Sequence, residues 1–362
     1  MSNIEKKKTR ILSIDGGGIR GIIPAVVLEY VEEKIKKITN NPNARIADCF
    51  DLIAGTSTGG ILTCIYLTPH PEKSQDLPSS KYSASKALEF YVKNGYKIFN
   101  ESKKPSLFGL RQIINANQYK PKNLEKILEA EFHELKLSDL IKPCIITTYN
   151  MLTKSAFFFS SVENPGAERE FYVKDVARST SAAPTYFSPA VITNLVTQDK
   201  MVNLDGGVFA NNPAMCAYAE SNSSKSFTTS GTEDMLMLSI GTGGGQFELP
   251  NIMNSNRWGV LNWAKSIPEI MMDGSFDTVD YQMKQLFKKE EGETCSYKRV
   301  DFHRKKRYSS DMAEASNENI SKLIEAGKLA IEDANKEKKG DHTLDEFIKL
   351  LVANSEIESL VS

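Results

Sequence analysis

One serine in this sequence has the neighbours that a catalytic nucleophile requires. Ser57 lies at the centre of Gly55-Thr56-Ser57-Thr58-Gly59, which fits the Gly-x-Ser-x-Gly pattern of a nucleophile elbow. In an elbow, a strained turn between a strand and a helix exposes the serine oxygen, and small residues two positions away on either side avoid collisions. The pattern therefore predicts that Ser57 attacks acyl groups.

The residues on either side of this pentapeptide decide between an elbow and an ordinary glycine-rich turn. Phe50–Ala54 is a short apolar run typical of a buried strand, and Ile61–Leu67 is an apolar run typical of a helix. A strand before the serine and a helix after it form the context that an elbow needs. This context favours the nucleophile over the plain turn.

A second glycine cluster follows the first predicted strand, Arg10–Ile14. It reads Asp15-Gly16-Gly17-Gly18-Ile19-Arg20-Gly21, and three consecutive glycines before a helix can expose successive backbone N–H groups. Such donors bind either a phosphate or the oxyanion of acyl transfer. We predict an oxyanion hole formed by the N–H groups of Gly16, Gly17 and Gly18.

A nucleotide pocket is the alternative for this glycine cluster. Gly16, Gly18 and Gly21 match the dinucleotide-binding fingerprint, but the next strand does not end in the acidic residue that would contact the ribose. A P-loop is excluded because no Lys-Ser or Lys-Thr pair follows Gly21. The oxyanion hole is favoured, and the sequence leaves the nucleotide pocket open.

A serine nucleophile needs a base, and histidine is the usual one. None of the four histidines lies in a glycine-bounded turn after a strand, although the sequence alone does not exclude them: they are His70, His133, His303 and His342. Asp205 follows the apolar run Met201–Leu204 and precedes Gly206 and Gly207. An isolated Asp-Gly is ordinarily only a turn, but together with the elbow it predicts Asp205 as the base of a Ser-Asp dyad.

The elements that must position these residues alternate between strands and helices. Apolar residues three and four apart predict a helix over Ile19–Ile38, with Pro24 in its first turn, where proline is tolerated. Further buried strands are predicted at Cys144–Tyr149, Phe157–Ser160, Met201–Leu204 and Met235–Ile240. Because strands that alternate with helices form a largely parallel sheet covered on both faces, we predict an α/β fold.

The character of the chain changes after about Gly245. Glycines become sparse, and Asn317–Lys338 has the pattern of a charged helix. We predict a catalytic α/β domain over residues 9–250 and a mainly helical C-terminal region over residues 251–362 that packs on it. Pro69–Ser85 is rich in proline, serine and charge and is expected to be a surface loop.

Composition and charge exclude several classes of protein. The chain has 362 residues, with 45 basic and 46 acidic side chains and a formal net charge of −1, so no global field would hold it on a nucleic acid polymer. The five cysteines form no Cys-x-x-Cys and His133-Glu134 lacks the second histidine of a zinc-protease helix, so we expect no metal and no other cofactor. No segment approaches the roughly 20 apolar residues that span a bilayer, and we expect a cytoplasmic protein.

Four ordered blocks together resemble the patatin-like phospholipase family. They are Asp15–Gly21, Gly55–Gly59, Ser181-Ala182-Ala183-Pro184 and Asp205-Gly206-Gly207. The resemblance implies a three-layer α/β/α fold related to cytosolic phospholipase A2, a dyad of Ser57 and Asp205, and an oxyanion hole from the N–H groups of the Gly16 to Gly18 turn. It also implies hydrolysis of lipid acyl esters without calcium in the catalytic step.

The expected function is a phospholipase A-type hydrolase that acts peripherally at the surface of a phospholipid membrane. The chain also resembles small bacterial phospholipases of antiphage defence that a cyclic dinucleotide activates, and the basic run Arg304–Arg307 with Tyr308 is the candidate nucleotide contact. An acyltransferase and a non-catalytic storage or binding protein are further alternatives. The chain could also form oligomers. Arg20 could fix the glycine loop or meet a lipid phosphate.

Several apolar stretches are candidates for lining the acyl site, although most of their side chains are expected to belong to the core. They are Phe157–Phe159, Tyr186-Phe187 and Ile252–Trp263. Trp258 and Trp263, near Met271 and Met272, are candidates for the mouth of the site.

Overall fold

Helices cover both faces of one central sheet, as the alternation of strands and helices predicts. The computed structural model describes residues 7–71, 79–99, 119–162, 169–227, 229, 231–244, 259–288, 295–303, 308–309, 311–336, 340–355 and 357. The predicted three-layer α/β/α architecture is confirmed.

Within the described residues, the sheet has eight strands. They are β1 (Thr9–Ile14), β2 (Leu52–Gly55), β3 (Cys144–Asn150), β4 (Ser155–Ser160), β5 (Ala190–Thr193), β6 (Lys200–Asp205), β7 (Met235–Ile240) and β8 (Tyr297–Val300). Their order is β5-β6-β3-β2-β1-β7-β8, and β4 pairs with the remaining edge of β3. The run from β3 to β8 is parallel, whereas β4, β5 and β6 pair antiparallel.

The prediction of a largely parallel sheet is therefore right for only part of the sheet. β3 is joined to β4, and β5 to β6, by a few residues each. Connections this short can join only antiparallel neighbours, because a parallel crossover needs a dozen residues or more. The hairpins thus set the mixed character of the sheet.

The helices divide between the two faces. They are α1 (Ile22–Ile38), α2 (Thr58–Leu67), α3 (Ala84–Phe99), α4 (Lys122–Phe132), α5 (Val173–Thr180), the single turn α6 (Gly207–Ala210), α7 (Ala214–Ser223), α8 (Val260–Leu286), α9 (Asn317–Ala334) and α10 (Leu344–Ala353). Alternate residues of β1 point to opposite faces: Leu12 and Ile14 pack in the larger core with α1, α2 and α9, and Ile11 packs in the smaller core with α7 and α8.

Strand β3 brings together the two strand ends that precede Ser57 and contain Asp205. One edge of β3 is occupied by β4, and on the other edge β2 pairs parallel with the first part of β3 while β6 pairs antiparallel with the last part. Gly55 at the end of β2 lies opposite Ile146, and Asp205 at the end of β6 lies opposite Thr148. Because β2 and β6 run in opposite directions along one edge, their carboxyl ends meet.

Several boundaries differ from the prediction. The helix predicted from Ile19 begins as a 3-10 turn over Gly18–Gly21, and the α-helix starts at Ile22. Helix α3 starts at Ala84, inside the stretch predicted as a loop, of which residues 72–78 lie outside the described residues. The strands predicted from apolar runs all form, with shifts of one or two residues at their ends.

The region after residue 250 contributes a strand as well as helices. β8 pairs parallel with β7, and the sequence analysis missed it because Tyr297-Lys298-Arg299-Val300 places two charges where a buried strand is normally apolar. Both charges are paired: Lys298 Nζ lies 2.9 Å from Asp341 Oδ2, and Arg299 pairs with Asp15. The proposed boundary between residues 250 and 251 remains a prediction. Among the described helices, none is long and apolar enough to span a bilayer.

Packing at Gly59 yields a first prediction. A Cβ atom added to Gly59 would overlap the carbonyl oxygen of Ile14 at the end of β1. We expect Gly59→Ala to lower the free energy of unfolding by about 1–3 kcal/mol, because backbone at both positions has to move. The control is Gly274→Ala in α8, where an added Cβ meets nothing within 4 Å. This variant should raise the free energy of unfolding by about 0.5–1 kcal/mol, because alanine favours the helix more than glycine does. Chemical denaturation measures both, and equal stability of the two variants would contradict the packing argument.

Candidate active site

Ser57 occupies a strained turn between β2 and α2. Its backbone has φ 54° and ψ −120°, a left-handed conformation that non-glycine residues rarely adopt. A Cβ on Gly55 would overlap the carbonyl oxygen of Gly59, and the Ser57 N–H donates to Thr180 Oγ1 at 2.8 Å. The turn thus leaves no room for a side chain at Gly55 or Gly59, as the elbow pattern predicts. The hydrogen bond to Thr180, the last residue of α5, holds the turn in place.

The side chains of Ser57 and Asp205 are in direct contact. Ser57 Oγ donates a hydrogen bond to Asp205 Oδ2 at 2.6 Å, and Asp205 Oδ1 accepts the N–H of Gly207 at 2.7 Å. Both residues are buried, with 6% of Ser57 and 1% of Asp205 exposed. The hydroxyl is therefore oriented by a carboxylate whose second oxygen is fixed by the backbone.

Burial makes Asp205 an unusually weak acid. Removal of the carboxylate from water raises the pKa of Asp205 to about 7, and the hydrogen bonds from Ser57 and Gly207 only partly oppose this. Within the described residues, no cation forms an ion pair with Asp205. A carboxyl group with a pKa near neutrality can take up and release a proton during a reaction.

None of the four histidines, all of which are described, lines the pocket that contains Ser57. His133 ends α4, His303 follows β8, and both are exposed. His342 lies beside Phe347 of α10, and the His70 N–H donates to Ser79 in the loop after α2. The contact between Ser57 and Asp205 therefore leaves the carboxylate as the candidate base.

The glycine loop supplies two open backbone donors, not three. The N–H of Gly16 donates to the carbonyl oxygen of Asn211 at 3.0 Å, and the N–H of Ile19 donates to that of Met312 at 2.8 Å. The N–H groups of Gly17 and Gly18 donate to no described residue. The prediction for Gly16 therefore needs correction, because its donor is already used, and the candidate oxyanion hole narrows to Gly17 and Gly18.

The conformation of this loop depends on Gly18 and Arg20. Gly18 adopts φ 60° and lines the same pocket as Ser57, a conformation that favours glycine. Arg20 is buried, and its Nε donates to the carbonyl oxygen of Gly17 at 3.3 Å. Of the two roles considered for Arg20, this contact favours fixing the loop.

An apolar pocket opens beside Ser57. Its cavity volume is about 60 Å³, and it is partly open to solvent. Large apolar side chains line most of it: Ile19, Ile61, Ile98, Phe99, Leu124 and Phe187. A second apolar pocket also reaches Asp205 and is lined by Val208, Ile267, Met271 and Met272. Five residues line both pockets: Ala183, Tyr186, Asp205, Met272 and Met312.

The expected acyl-lining stretches have different outcomes. Tyr186 and Phe187 line the pocket, but Phe157 and Phe159 pack against Phe171 instead. Trp263 is exposed on α8, and Trp258 lies outside the described residues. Tyr308 is buried against Phe302, at 4.7 Å between ring centroids, so it is not available to stack on a nucleotide base.

Sequence reasoning missed several residues that hold the site together. The N–H of Asp205 donates to the carbonyl oxygen of Ala182 at 3.0 Å, which gives the Ser181–Pro184 block a structural role beside the candidate base. Tyr91 O–H donates to the carbonyl oxygen of Thr58 at 2.8 Å and accepts from Thr58 Oγ1 at 2.6 Å. No local pattern points to Tyr91, since it lies on α3, far from the elbow along the chain.

Among the described residues, no cluster of three or more His, Cys, Asp or Glu side chains could hold a metal ion. The chemistry of the site thus consists of a serine, a carboxylate and backbone donors in an apolar pocket. These are the groups that hydrolysis of an ester through an acyl-enzyme uses.

The sequence of this chain is similar to those of known proteins. The model of the family described as Patatin-like phospholipase matches residues 12–218. This chain belongs to the patatin-like phospholipase family. Patatin-like protein 2 of Oryza sativa subsp. indica is 30% identical over 350 residues, which cover 90% of this chain and 84% of the relative. Patatin-like protein 2 of Arabidopsis thaliana is 36% identical over 299 residues, 77% of this chain and 72% of the relative.

A third relative matches over almost the whole chain. Patatin-04/09 of Solanum tuberosum is 29% identical over 360 residues, which cover 94% of this chain and 89% of the relative. This patatin-like phospholipase is thus a hydrolase whose family-matched segment contains the elbow, the glycine loop and Asp205. The match ends before α8, β8 and the segment that contains Met312.

The pKa of Asp205 predicts how the reactivity of Ser57 depends on pH. Above about pH 7 an ionised Asp205 can accept the serine proton, and below it the protonated carboxyl cannot. We expect the rate at which a fluorophosphonate labels Ser57 to rise with pH and to be half-maximal near pH 7.

Circular dichroism over the same pH range controls for unfolding. A labelling rate that stays constant from about pH 5 to about pH 9, in a folded protein, would contradict a base with this pKa.

Proposed function

We propose that this protein is a phospholipase A-type lipid acyl hydrolase that cleaves glycerophospholipid esters through Ser57 and Asp205. The observation that carries the proposal is the 2.6 Å hydrogen bond from Ser57 Oγ to a buried carboxylate at the mouth of an apolar pocket. The pocket offers an acyl chain an apolar surface, and burial of each methylene contributes about 0.8 kcal/mol. The family assignment supports the same reaction class.

The first half of the reaction forms an acyl-enzyme. Asp205 takes the proton of Ser57 as Oγ attacks the ester carbonyl carbon, and the carbonyl oxygen becomes an oxyanion. The N–H groups of Gly17 and Gly18 bind this oxyanion, which has more charge than the oxygen of the ester. When the bond to the alcohol breaks, Asp205 returns the proton to the leaving oxygen, and the acyl group remains on Ser57.

The second half regenerates the enzyme. Asp205 takes a proton from a water molecule that attacks the acyl carbon, and the same two glycine N–H groups bind the second oxyanion. The bond to Ser57 Oγ then breaks, the proton returns to that oxygen, and a fatty acid leaves. An acyltransferase would follow the same steps with an alcohol in place of water, so only the identity of the products separates the two.

Access of lipid to the site involves one face of α8. Trp263, Ile267, Ile270 and Met271 are exposed apolar residues. Ile267 is four residues after Trp263, and Ile270 and Met271 are three and four residues after Ile267, so the four lie on one side of the helix. Ile267 and Met271 also line the second pocket, which reaches Asp205. This apolar face is therefore continuous with the route to the site, and we assign it to contact with the surface of a phospholipid bilayer. A cytoplasmic location with peripheral membrane contact remains a prediction.

Two further expectations remain without structural support. Activation by a cyclic dinucleotide, with an antiphage role, relied on the basic run at residues 304–307, which lies outside the described residues, and on Tyr308, which is buried. A storage or binding role without catalysis does not account for the buried pair of Ser57 and Asp205. Neither is favoured by a contact in the part of the chain that the structure describes.

Variants of the dyad test the proposed reaction. Ser57→Ala should abolish release of fatty acid from phospholipid and labelling by a fluorophosphonate, because no nucleophile remains. Asp205→Asn should lower turnover by about 10⁴-fold, because the amide cannot accept the serine proton. Alanine at each of the four histidine positions should retain most activity. Product analysis by mass spectrometry measures release, and a histidine variant as inactive as Asp205→Asn would overturn the dyad.

A second experiment tests the bilayer contact. Ile270 lines neither pocket, so Ile270→Glu should leave hydrolysis of a soluble short-chain ester unchanged. It should lower binding to phosphatidylcholine vesicles, and hydrolysis of their lipid, by about tenfold, because a charge replaces an apolar contact.

The matched control is Ile38→Glu, which changes an exposed isoleucine at the far end of α1. Helix α1 starts beside the glycine loop, so its last residue lies near the opposite end of the sheet. Co-sedimentation with vesicles measures binding. Equal effects of the two variants on binding would argue against a specific role of α8.

A further inference from the structure

A buried ion pair lies behind the glycine loop. Arg299 Nη2 donates to Asp15 Oδ2 at 2.6 Å, and Arg299 Nη1 donates to Asp15 Oδ1 at 3.1 Å. The two side chains are only 8% and 1% exposed. Burial of two charges is costly and a buried pair adds little stability over well-packed apolar residues, so stability alone is a weak account of this pair.

The guanidinium of Arg299 is held on several sides. Its Nη1 also donates to Ser239 Oγ at 2.7 Å, and its Nη2 donates to Asp301 Oδ2 at 2.8 Å. The group lies 4.7 Å from the ring centroid of Phe276 on α8. Planar, two-pronged binding of this kind is a property of arginine, and a lysine ammonium reproduces only its charge.

Asp15 connects this guanidinium to the two open donors. It is the last residue before the three glycines, and its N–H donates to the carbonyl oxygen of Ile240 at 3.1 Å. The next residue is fixed as well, because Thr242 Oγ1 donates to the carbonyl oxygen of Gly16 at 2.6 Å. The chain is thus anchored up to Gly16, immediately before the two glycines whose N–H groups donate to no described residue.

The structure assigns Arg299 the role of a positioning residue: by holding Asp15, it orients the N–H groups of Gly17 and Gly18 for the oxyanion. This inference rests on the proposed function. Arg299 lines neither apolar pocket and touches no reacting atom. Its guanidinium also pairs with both Asp15 and Asp301, and it offsets negative charge that would otherwise oppose the charge that develops on the oxyanion.

Two substitutions of Arg299 separate its two-pronged bond to Asp15 from its positive charge. Arg299→Met removes both, and it should lower kcat on a soluble short-chain ester by about a hundredfold, the usual effect of losing an oxyanion donor. KM should change by less than about twofold, because the ground-state ester does not use these donors. Arg299→Lys retains the charge without the two-pronged bond, so its kcat should lie between those of Arg299→Met and the wild type.

Arg10 provides a control near the start of β1, the strand that Asp15 follows. Its side chain is 6% exposed, its Nη2 lies 2.5 Å from Asp51 Oδ1, and its Nε donates to Asp51 Oδ2 at 2.9 Å. Arg10→Met therefore removes from β1 a buried arginine that is paired with the carboxylate of Asp51, which is 29% exposed, without touching the glycine loop. It should lower the unfolding temperature as Arg299→Met does, but kcat should stay within about twofold of the wild type.

Kinetics measured well below each unfolding temperature separate the outcomes. A loss of kcat at unchanged KM in Arg299→Met, but not in Arg10→Met, supports the inference, and equal losses of kcat in both variants overturn it. If Arg299→Met does not fold, Arg299→Lys is compared with Arg10→Lys, and a wild-type kcat for Arg299→Lys overturns the inference. An inactive wild type overturns the proposed function and this inference with it, whereas an active wild type and an equally active Arg299→Met overturn the inference alone.

Discussion

The site depends on one constraint: a carboxylate has to lie out of water beside a serine oxygen, without a cation to neutralise it. The sheet meets this constraint by letting β2 and β6 end against each other on one edge of β3. Asp205 is thereby buried, and its pKa rises to about 7. An arginine or lysine at this place would stabilise the carboxylate and weaken it as a base.

The glycines follow from the same close approach. Gly55 and Gly59 lie where the end of β2, the start of α2 and the end of β1 leave no room for a side chain. Gly16 lies so close to Ser57 that a Cβ added to it would be 3.2 Å from the serine Cβ. The strained backbone of Ser57 persists because the surrounding contacts, including the bond to Thr180, hold it. Packing and chemistry are therefore set by the same residues.

The two buried carboxylates at strand ends have different partners. Asp15 follows β1 and Asp205 ends β6, and both are buried. Asp15 faces the guanidinium of Arg299, which fixes its orientation, whereas Asp205 faces a hydroxyl to which a proton can be returned. Two residues that contact the glycine loop or Asp15 come from the part of the chain after the family-matched segment: Arg299, which pairs with Asp15, and Met312, whose carbonyl oxygen accepts the N–H of Ile19. The C-terminal region thus adds contacts to a site whose chemical groups lie in the four sequence blocks.

The sequence by itself determined the chemical groups and the nature of the main elements, because an elbow, a glycine cluster, an Asp-Gly-Gly turn and apolar runs are local patterns. Ser57, Asp205 and the strands that contain apolar runs, namely β1 to β4, β6 and β7, could be predicted for this reason. Other features were decided by tertiary structure alone. The donor of Gly16 is used by Asn211, and Arg299 reaches Asp15 across 284 residues of chain. β8 could not be predicted because its charges become compatible with burial only after distant carboxylates pair with them. The pKa of Asp205 likewise depends on burial by elements that are far apart in sequence, so no spacing of residues along the chain determines it.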